Sequence, residues 1–184
     1  SPPSPPLILI PSPTWANHTN IFTDAGFAVR TYRYFDAATC GLDLAGLLAD
    51  LSSAPPNTAV LLHVCAHNPT GVDPSRDQWR QIADVIISRG LVPFFDAAYQ
   101  GFATGDLSRD AESVRMFSAR GVALVASQSF AKNMGMYGER VGAVHVQVAS
   151  ADEGVRVQSQ MSRIVRGAFS NPPAFGARVA ATVL

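Results

Sequence analysis

Short apolar runs of the length of a β-strand alternate with segments of helical periodicity along most of this 184-residue chain. In residues 77–89, for example, apolar side chains recur at spacings of three and four, as on one face of a helix. Helices that separate buried strands are typical of a parallel sheet covered on both faces. The sequence therefore predicts an α/β fold with a mostly parallel sheet flanked by helices. Strands are predicted at 27–35, 59–65, 91–96, 122–129 and 141–148, and helices at 43–51, 77–89 and 110–120.

The two ends of the chain carry the weakest structural signals. Residues 1–13, SPPSPPLILIPSP, predict a Pro-rich connector around a short strand, or the truncated edge of a longer chain. They lack the basic region and cleavage site of a signal peptide. The final segment, GARVAATVL, has a helical pattern without a terminal capping signal. Residues 14–184 are therefore expected to be part of a larger domain.

Charge and cysteine content narrow the class of partner. The chain has 14 basic and 14 acidic residues, so neither nucleic acid nor an anionic membrane is an expected partner. No apolar run reaches the roughly 18 residues of a membrane span. Cys40 and Cys65 are too few for a disulfide framework, which favours a reducing compartment. The expected partner is a small molecule.

Polar side chains follow three of the predicted strands at the points where those strands end. Asn68 lies in an NPTG segment, Asp96 ends the apolar run LVPFF, and Lys132 follows the run VALVA by a few residues. Ligands of open parallel sheets bind at the carboxyl ends of the strands. Each residue also has an ordinary explanation: NPTG as a turn, Asp96 as a helix N-cap, and Lys132 as a solvated side chain.

Lys132 is the only lysine among the 14 basic residues, since the other 13 are arginines. A lone amine beside a sheet end, near the carboxylate of Asp96 and the phenol of Tyr99, matches the needs of a pyridoxal phosphate enzyme. In such enzymes a lysine forms a Schiff base with the cofactor's aldehyde, and a carboxylate keeps the pyridine nitrogen protonated. These residues predict pyridoxal 5'-phosphate as the cofactor.

Five segments, in order along the chain, resemble motifs of the aspartate aminotransferases, which belong to class I of the fold type I pyridoxal phosphate-dependent enzymes. The segments are PTWANH, CAHNPTGVDP, FFDAAYQGFATGD, QSFAKNMGMYGERVGA and FSNPPAFGAR. The match runs from about Pro13 to Leu184, and KNMGMYGERVGA and TCGLD are more similar to the mitochondrial form. The resemblance implies that residues 14–184 are the central part of the large domain of such a transferase.

The resemblance also implies a role for each matching residue. Lys132 corresponds to the Schiff-base lysine and catalytic proton carrier, and Asp96 to the partner of the pyridine nitrogen. For Trp15, a place in the core is the alternative. His63 and His67 are expected not to bind a metal, because a third ligand is missing. The implied cofactor site comprises Trp15 over the ring, Ala98 beneath it, Asn68 and Tyr99 at the phenolic oxygen, Ser129 and Arg140 at the phosphate, and His18 behind Asp96. Trp15 and Asn68 are also implied to contact the substrate.

Arg166 corresponds to the arginine that reaches across a dimer interface to the side-chain carboxylate of a dicarboxylate substrate. Ser170 and Asn171 follow in the same motif and are implied partner-subunit contacts. Gly167 stands where the family commonly has proline and is expected to loosen the backbone beside Arg166. Arg163, three residues earlier on the same helical face, is the competing candidate.

The function implied is that of an aspartate aminotransferase, a homodimer that exchanges an amino group between L-aspartate and 2-oxoglutarate to give oxaloacetate and L-glutamate. Two alternatives are an aromatic aminotransferase of the same family and a non-catalytic truncated fragment. The implied location is the mitochondrial matrix, with the cytoplasm as the alternative.

Two family features do not occur in the 184 residues: the Gly-rich phosphate loop and the small domain, whose arginine binds the substrate's α-carboxylate. The chain made alone is therefore expected not to turn over aspartate.

Overall fold

The computed structural model describes residues 4–184. Within them a six-stranded sheet has the order β2-β1-β5-β6-β7-β8, and all its strand pairs are parallel except β7–β8. This confirms the mostly parallel sheet. The strands are β1 (Leu7–Ser12), β2 (Ala28–Arg33), β3 (Phe35–Asp36), β4 (Gly41–Leu42), β5 (Ala59–His63), β6 (Val92–Ala97), β7 (Leu124–Ser129) and β8 (Gly142–Gln147), with β3 and β4 forming a separate antiparallel pair.

The helices include all three that the periodicity predicts. They are α1 (Asn17–Asp24), α2 (Leu44–Ser53), α3 (Arg76–Arg89), α4 (Leu107–Asp110), α5 (Glu112–Ala119), α6 (Ala151–Phe169) and α7 (Ala174–Val183). Helix α3 has sequence signals at both of its ends, which explains why its bounds could be predicted. Ser75 and Gln78 form a capping box at its start, and Gly90 ends it in the left-handed conformation at φ 62°.

Helices pack against both faces of the sheet, and the edge strand β8 is largely exposed. On one face α2, α3 and α5 pack Leu47, Ile82 and Phe117 against alternate strand residues such as Leu62 and Phe95. On the other face, Phe22 of α1 packs against Ile8, Ile10, Leu61 and Phe94. Strand β1 lies between β2 and β5, so the Pro-rich start of the chain contains an inner strand of the sheet rather than only a connector.

Helix α6 differs from the other long helices in having no buried residue. Val155, Ile164 and Phe169 are between 58% and 71% exposed along it. None of the helices among the described residues is both long enough and apolar enough to cross a membrane.

Candidate active site

A cleft of about 300 Å³ opens at the carboxyl ends of β1, β5, β6 and β7. Because these strands are parallel, the segments that follow them meet at one edge of the sheet. All eight residues predicted to hold the cofactor line this cleft, whereas their roles in binding stay predictions. The lining residues are Trp15, His63, Cys65, Asn68, Asp96, Ala98, Tyr99, Ser129, Ala131, Lys132, Tyr137 and Arg140.

Lys132 lies in the loop that connects β7 to β8, and its amine reaches over the neighbouring loop. Its Nζ atom lies 3.5 Å from the centroid of the Tyr99 ring. The two loops are also tied directly, because Asn133 Nδ2 donates to the carbonyl oxygen of Gln100 at 3.2 Å. The amine and the phenol are therefore held together in the cleft.

Asp96, near the end of β6, faces His18 of α1. His18 Nε2 and Asp96 Oδ2 are 3.0 Å apart, and the two side chains are 5% and 24% exposed. The carboxylate thus has one side toward the cleft and the other against a buried imidazole. The alternative explanation of Asp96 as a helix N-cap is wrong, because Asp96 lies within a strand and contacts His18.

A chain of hydrogen bonds continues behind His18. Thr14 Oγ1 lies 2.9 Å from His18 Nδ1 and 3.1 Å from His63 Nε2, and the backbone N–H of Asn68 donates to His63 Nδ1 at 3.2 Å. Since that backbone group can only donate, a neutral His63 carries its proton on Nε2 and donates to Thr14. The Thr14 hydroxyl then donates to His18 Nδ1, which leaves His18 Nε2 to donate to Asp96. The chain thereby orients a hydrogen-bond donor at the carboxylate.

The sequence-based reason for excluding a metal at His63, the missing third ligand, is wrong. His18, His63 and Asp96 each place one ligand atom within 4.8 Å of the others. The hydrogen-bond chain already uses every ring nitrogen of His18 and His63. Hydrogen bonding therefore explains the cluster.

The imidazoles of His63 and His67 are stacked at 4.2 Å, and Tyr34 stacks on the outer face of His67 at 3.9 Å. Burial lowers the pKa of His63 to about 4, although the nearby Asp96 acts in the opposite direction. Burial lowers the pKa of His67 to about 3, with a further contribution from His63. Both histidines are therefore neutral near neutral pH, which supports the hydrogen-bond polarity inferred above.

These shifts predict acid sensitivity in a defined range. A histidine whose pKa falls from 6.5 to about 4 on folding binds fewer protons when folded, so its stabilising contribution is present above pH 6.5 and is lost as the pH falls. We expect the free energy of unfolding to drop by about 1.4 kcal/mol per pH unit for each neutral-buried histidine in this window. Urea unfolding at a series of pH values measures the slope.

His67→Gln is the matched variant for this measurement, because it removes one titrating ring and leaves His63 in place. We expect it to lower the slope by about half. The pKa values of Asp36, Asp50 and Asp110 are lowered from 3.8. These carboxylates therefore affect stability at a lower pH than the histidines do, and the two effects can be measured separately. A flat profile between pH 6.5 and 4.5 would contradict the burial of two neutral imidazoles.

The cleft also contains the hydrogen-bond donors expected for an anion. Ser129 Oγ accepts from the backbone N–H of Ala131 at 3.2 Å, which leaves its proton free to be donated. Arg140 has a left-handed backbone, at φ 50°, and its Nη1 donates to the carbonyl oxygen of Tyr137 at 3.0 Å. Both residues also line an adjoining cavity of about 230 Å³. The guanidinium has further N–H groups for a ligand.

Arg166, Ser170 and Asn171 do not line the cleft. Arg166 lies near the end of α6, where its Nη1 donates to Ser170 Oγ. Helix α6 continues past Gly167 to Phe169, so Gly167 does not interrupt the helix that carries Arg166. Arg163 is also exposed on α6.

Sequence reasoning missed several residues that line the cleft or lie behind it. Thr14 contacts a histidine 49 positions away, which no local pattern reveals. Tyr137 was missed although it lies close to Arg140 in the same motif. Cys65 lines the cleft, and burial raises the pKa of its thiol to about 12, so it is a neutral wall residue rather than a nucleophile.

Comparison with protein families identifies the class of protein to which this fold belongs. The family described as aminotransferase class I and II matches residues 5–184. The chain therefore belongs to the class I and II aminotransferases, a pyridoxal phosphate-dependent family.

Among the individual relatives that match the chain are aspartate aminotransferases. The chain is 60% identical to a cytoplasmic aspartate aminotransferase of Oryza sativa subsp. japonica over 96% of this chain and 44% of that protein. It is 55% identical to a mitochondrial aspartate aminotransferase of Xenopus tropicalis over 96% of this chain and 42% of that protein. The chain thus spans less than half the length of these curated relatives.

Solved structures show the same fold. Cytoplasmic aspartate aminotransferase of Saccharomyces cerevisiae has a TM-score of 0.93 at 45% identity, over 97% of this chain and 45% of that one. An aromatic amino acid aminotransferase from Burkholderia pseudomallei, covalently bound to pyridoxal phosphate, has a TM-score of 0.95 at 45% identity, with the same coverage of 97% and 45%.

Proposed function

We propose that this chain forms the cofactor-binding part of an aspartate aminotransferase, which exchanges an amino group between L-aspartate and 2-oxoglutarate. The observation that carries the proposal is the meeting of the Lys132 amine with Tyr99 and with Asp96, backed by His18, in one cleft. Identities of 51–60% to aspartate aminotransferases support the substrate assignment.

The residues of the cleft fit pyridoxal phosphate by their chemistry. The cleft of about 300 Å³ is lined both by the anion-binding groups of Ser129 and Arg140 and by the carboxylate of Asp96. When bound, the cofactor supplies an aldehyde that an amine can attack and a ring that withdraws electrons from the substrate's α-carbon. Ser129 and Arg140 would hold its phosphate, a good match for a guanidinium.

Around the ring, each side chain has a definite task. Asp96 would hold a proton on the pyridine nitrogen through a charge-assisted hydrogen bond, and His18 keeps its carboxylate oriented. Tyr99 and Asn68 would donate to the phenolic oxygen. Trp15, which is 43% exposed, is available to stack on the ring. Ala98 is small enough to leave room beneath it.

Lys132 has two tasks in turn. Its amine is the group that would hold the cofactor's aldehyde. Once free of the cofactor, the same amine would lie beside the substrate's α-carbon, where it could remove and return a proton. Contact with the Tyr99 ring limits the positions that Nζ can adopt.

The aromatic aminotransferase alternative is favoured by one observation, the TM-score of 0.94 at 46% identity to the Burkholderia cenocepacia J2315 enzyme. A non-catalytic fragment is less well supported, because Lys132, Asp96, Tyr99 and Arg140 are retained together. An assay of the intact protein with L-aspartate and with phenylalanine, each with 2-oxoglutarate, separates these possibilities. Faster turnover of phenylalanine would overturn the aspartate assignment.

Substrate choice is proposed to depend on Arg166 across a homodimer, with Ser170 and Asn171 at the same interface. Two observations support an interface here: α6 has no buried residue, and its apolar side chains are exposed. Arg166 lies outside the cleft of its own chain, as a residue that serves the neighbouring subunit would.

Arg166→Ala is expected to weaken the binding of dicarboxylate substrates by about 2–5 kcal/mol, the usual cost of removing one partner of a buried charge pair. Aromatic amino acids should be affected much less. The kcat/KM values for both substrate types measure the difference. Arg163→Ala is the matched control, and selective loss of dicarboxylates in that variant instead would assign the role to Arg163.

The cellular location is proposed as mitochondrial or cytoplasmic. Relatives of both locations match the chain, at 55% and 60% identity. Fractionation of cells that express the intact protein tests the choice.

A further inference from the structure

Helix α7 packs against the loop that carries Lys132 and Arg140. Its two buried residues, Gly176 and Ala180, lie one helical turn apart and face this loop. Ala180 forms a small apolar cluster with Phe130 and Met136. Helix α7, which is part of neither the sheet nor the cleft, therefore packs against this loop and stabilises it.

Gly176 makes the closest approach of the helix to the loop. A Cβ atom placed on Gly176 would lie 2.8 Å from Cβ of Glu139 and 3.2 Å from Cβ of Val141. These two residues flank Arg140. Because Cβ atoms are fixed to the backbone, a side chain at position 176 could be accommodated only by moving the backbone on both sides of Arg140.

The position of Arg140 has little freedom to adapt to such a movement. The carbonyl oxygen of Val141 accepts from the backbone N–H of Phe130 at 3.1 Å, and the Glu139 N–H donates to the Met136 carbonyl oxygen at 3.2 Å. Arg140 itself has φ 50°, a conformation that a residue with a side chain adopts only when its surroundings hold it there.

We infer that Gly176 is a positioning residue for the anion-binding end of the cleft. The absence of a side chain at position 176 lets α7 hold Glu139 and Val141 so that the Arg140 guanidinium points to the same place as the Ser129 hydroxyl. The inference rests on the proposed function, because it assumes that these two groups bind the phosphate of pyridoxal phosphate.

The test compares two ligands that differ only in the phosphate. Pyridoxal phosphate and pyridoxal are titrated separately into the intact protein, and binding is followed by absorbance, with inorganic phosphate as a competitor. Gly176→Ala is expected to lower the affinity for pyridoxal phosphate by about tenfold, since one charge-assisted contact is misaligned, and to leave the affinity for pyridoxal unchanged. Competition by inorganic phosphate should weaken in parallel.

Gly154→Ala is the matched control. It makes the same substitution in a helix, but its Cβ atom would meet only a Val148 side-chain atom at 3.6 Å, an ordinary contact. We expect both affinities to be unchanged. Should Gly176→Ala fail to fold, Val141→Ala provides the same test by removing support beside Arg140 without introducing a clash.

The outcomes separate the inference from the proposed function. Wild-type protein that binds neither ligand would overturn the proposed function itself. Wild-type protein that favours pyridoxal phosphate, together with a Gly176→Ala or Val141→Ala protein of unchanged preference, would overturn only the role of Gly176. Equal loss of both ligands would show a general structural effect and would likewise contradict positioning of Arg140.

Discussion

Lys132→Ala is expected to lower the rate of amino-group transfer by about 10⁴-fold or more, the upper end of what a positioned acid–base group contributes. Under the proposed function, the variant would lose both the nucleophile that holds the cofactor and the amine that carries the proton. Lys132 is the only lysine among these 184 residues, so no other residue of this part of the protein can replace its amine. Transamination of L-aspartate by the intact variant, with excess pyridoxal phosphate, measures the loss.

Lys132→Arg is the control that separates charge from chemistry. Arginine keeps a cation above the Tyr99 ring, yet it stays protonated in proteins and cannot act as nucleophile or base. We therefore expect the two variants to be almost equally impaired. An arginine variant with near-normal turnover would limit Lys132 to an electrostatic role.

Asp96→Asn is expected to cost about 10²–10³-fold in kcat, similar to the loss of one preorganised electrostatic contact in other enzymes. Asparagine has nearly the same shape but no charge, so it cannot hold a proton on the pyridine nitrogen. The cofactor should still attach to Lys132, because that step uses the aldehyde. Turnover and cofactor attachment, measured on the same sample, distinguish this variant from Lys132→Ala.

Two further variants make the Asp96 test specific. His18→Asn removes the donor behind Asp96 and should cost roughly tenfold, the value of a hydrogen bond to a charged group. Asp84→Asn alters an exposed carboxylate paired with Arg120 and should leave turnover unchanged. Loss of cofactor attachment in Asp96→Asn would contradict the separation of roles between Asp96 and Lys132.

Most of the cleft could be predicted because its residues are local to strand ends. Asp96 directly ends an apolar run, and Lys132 follows another, so the parallel topology alone brings them to the same edge. Helix α3 could also be predicted, because the capping box at its start and the glycine at its end are each formed by residues that are close together in the sequence. The resemblance of five ordered segments to known motifs then implied a role for each residue, which the residue type alone does not determine.

Other features depend on contacts that local patterns do not contain. The bond between Thr14 and His63 joins residues 49 positions apart, and the polar atoms clustered with His63 come from His18 and Asp96 on two other elements. The inner position of β1 follows from pairing with β2 and β5, which its short apolar run does not specify. Helix α1 was not predicted, because it has no capping side chain at its start. Helix α6 was also not predicted, although Ser150 and Glu153 at its start are a signal for a helix N-terminus.

Chemical trapping of the cofactor on Lys132 is the most direct measurement of the proposed chemistry. Intact wild-type protein is incubated with pyridoxal phosphate, reduced with borohydride, digested and analysed by mass spectrometry. We expect a single pyridoxyl phosphate group, on the peptide that contains Lys132, and none in Lys132→Arg. Wild-type protein that remains unlabelled, or label that persists elsewhere in Lys132→Arg, would contradict Lys132 as the residue that binds the cofactor.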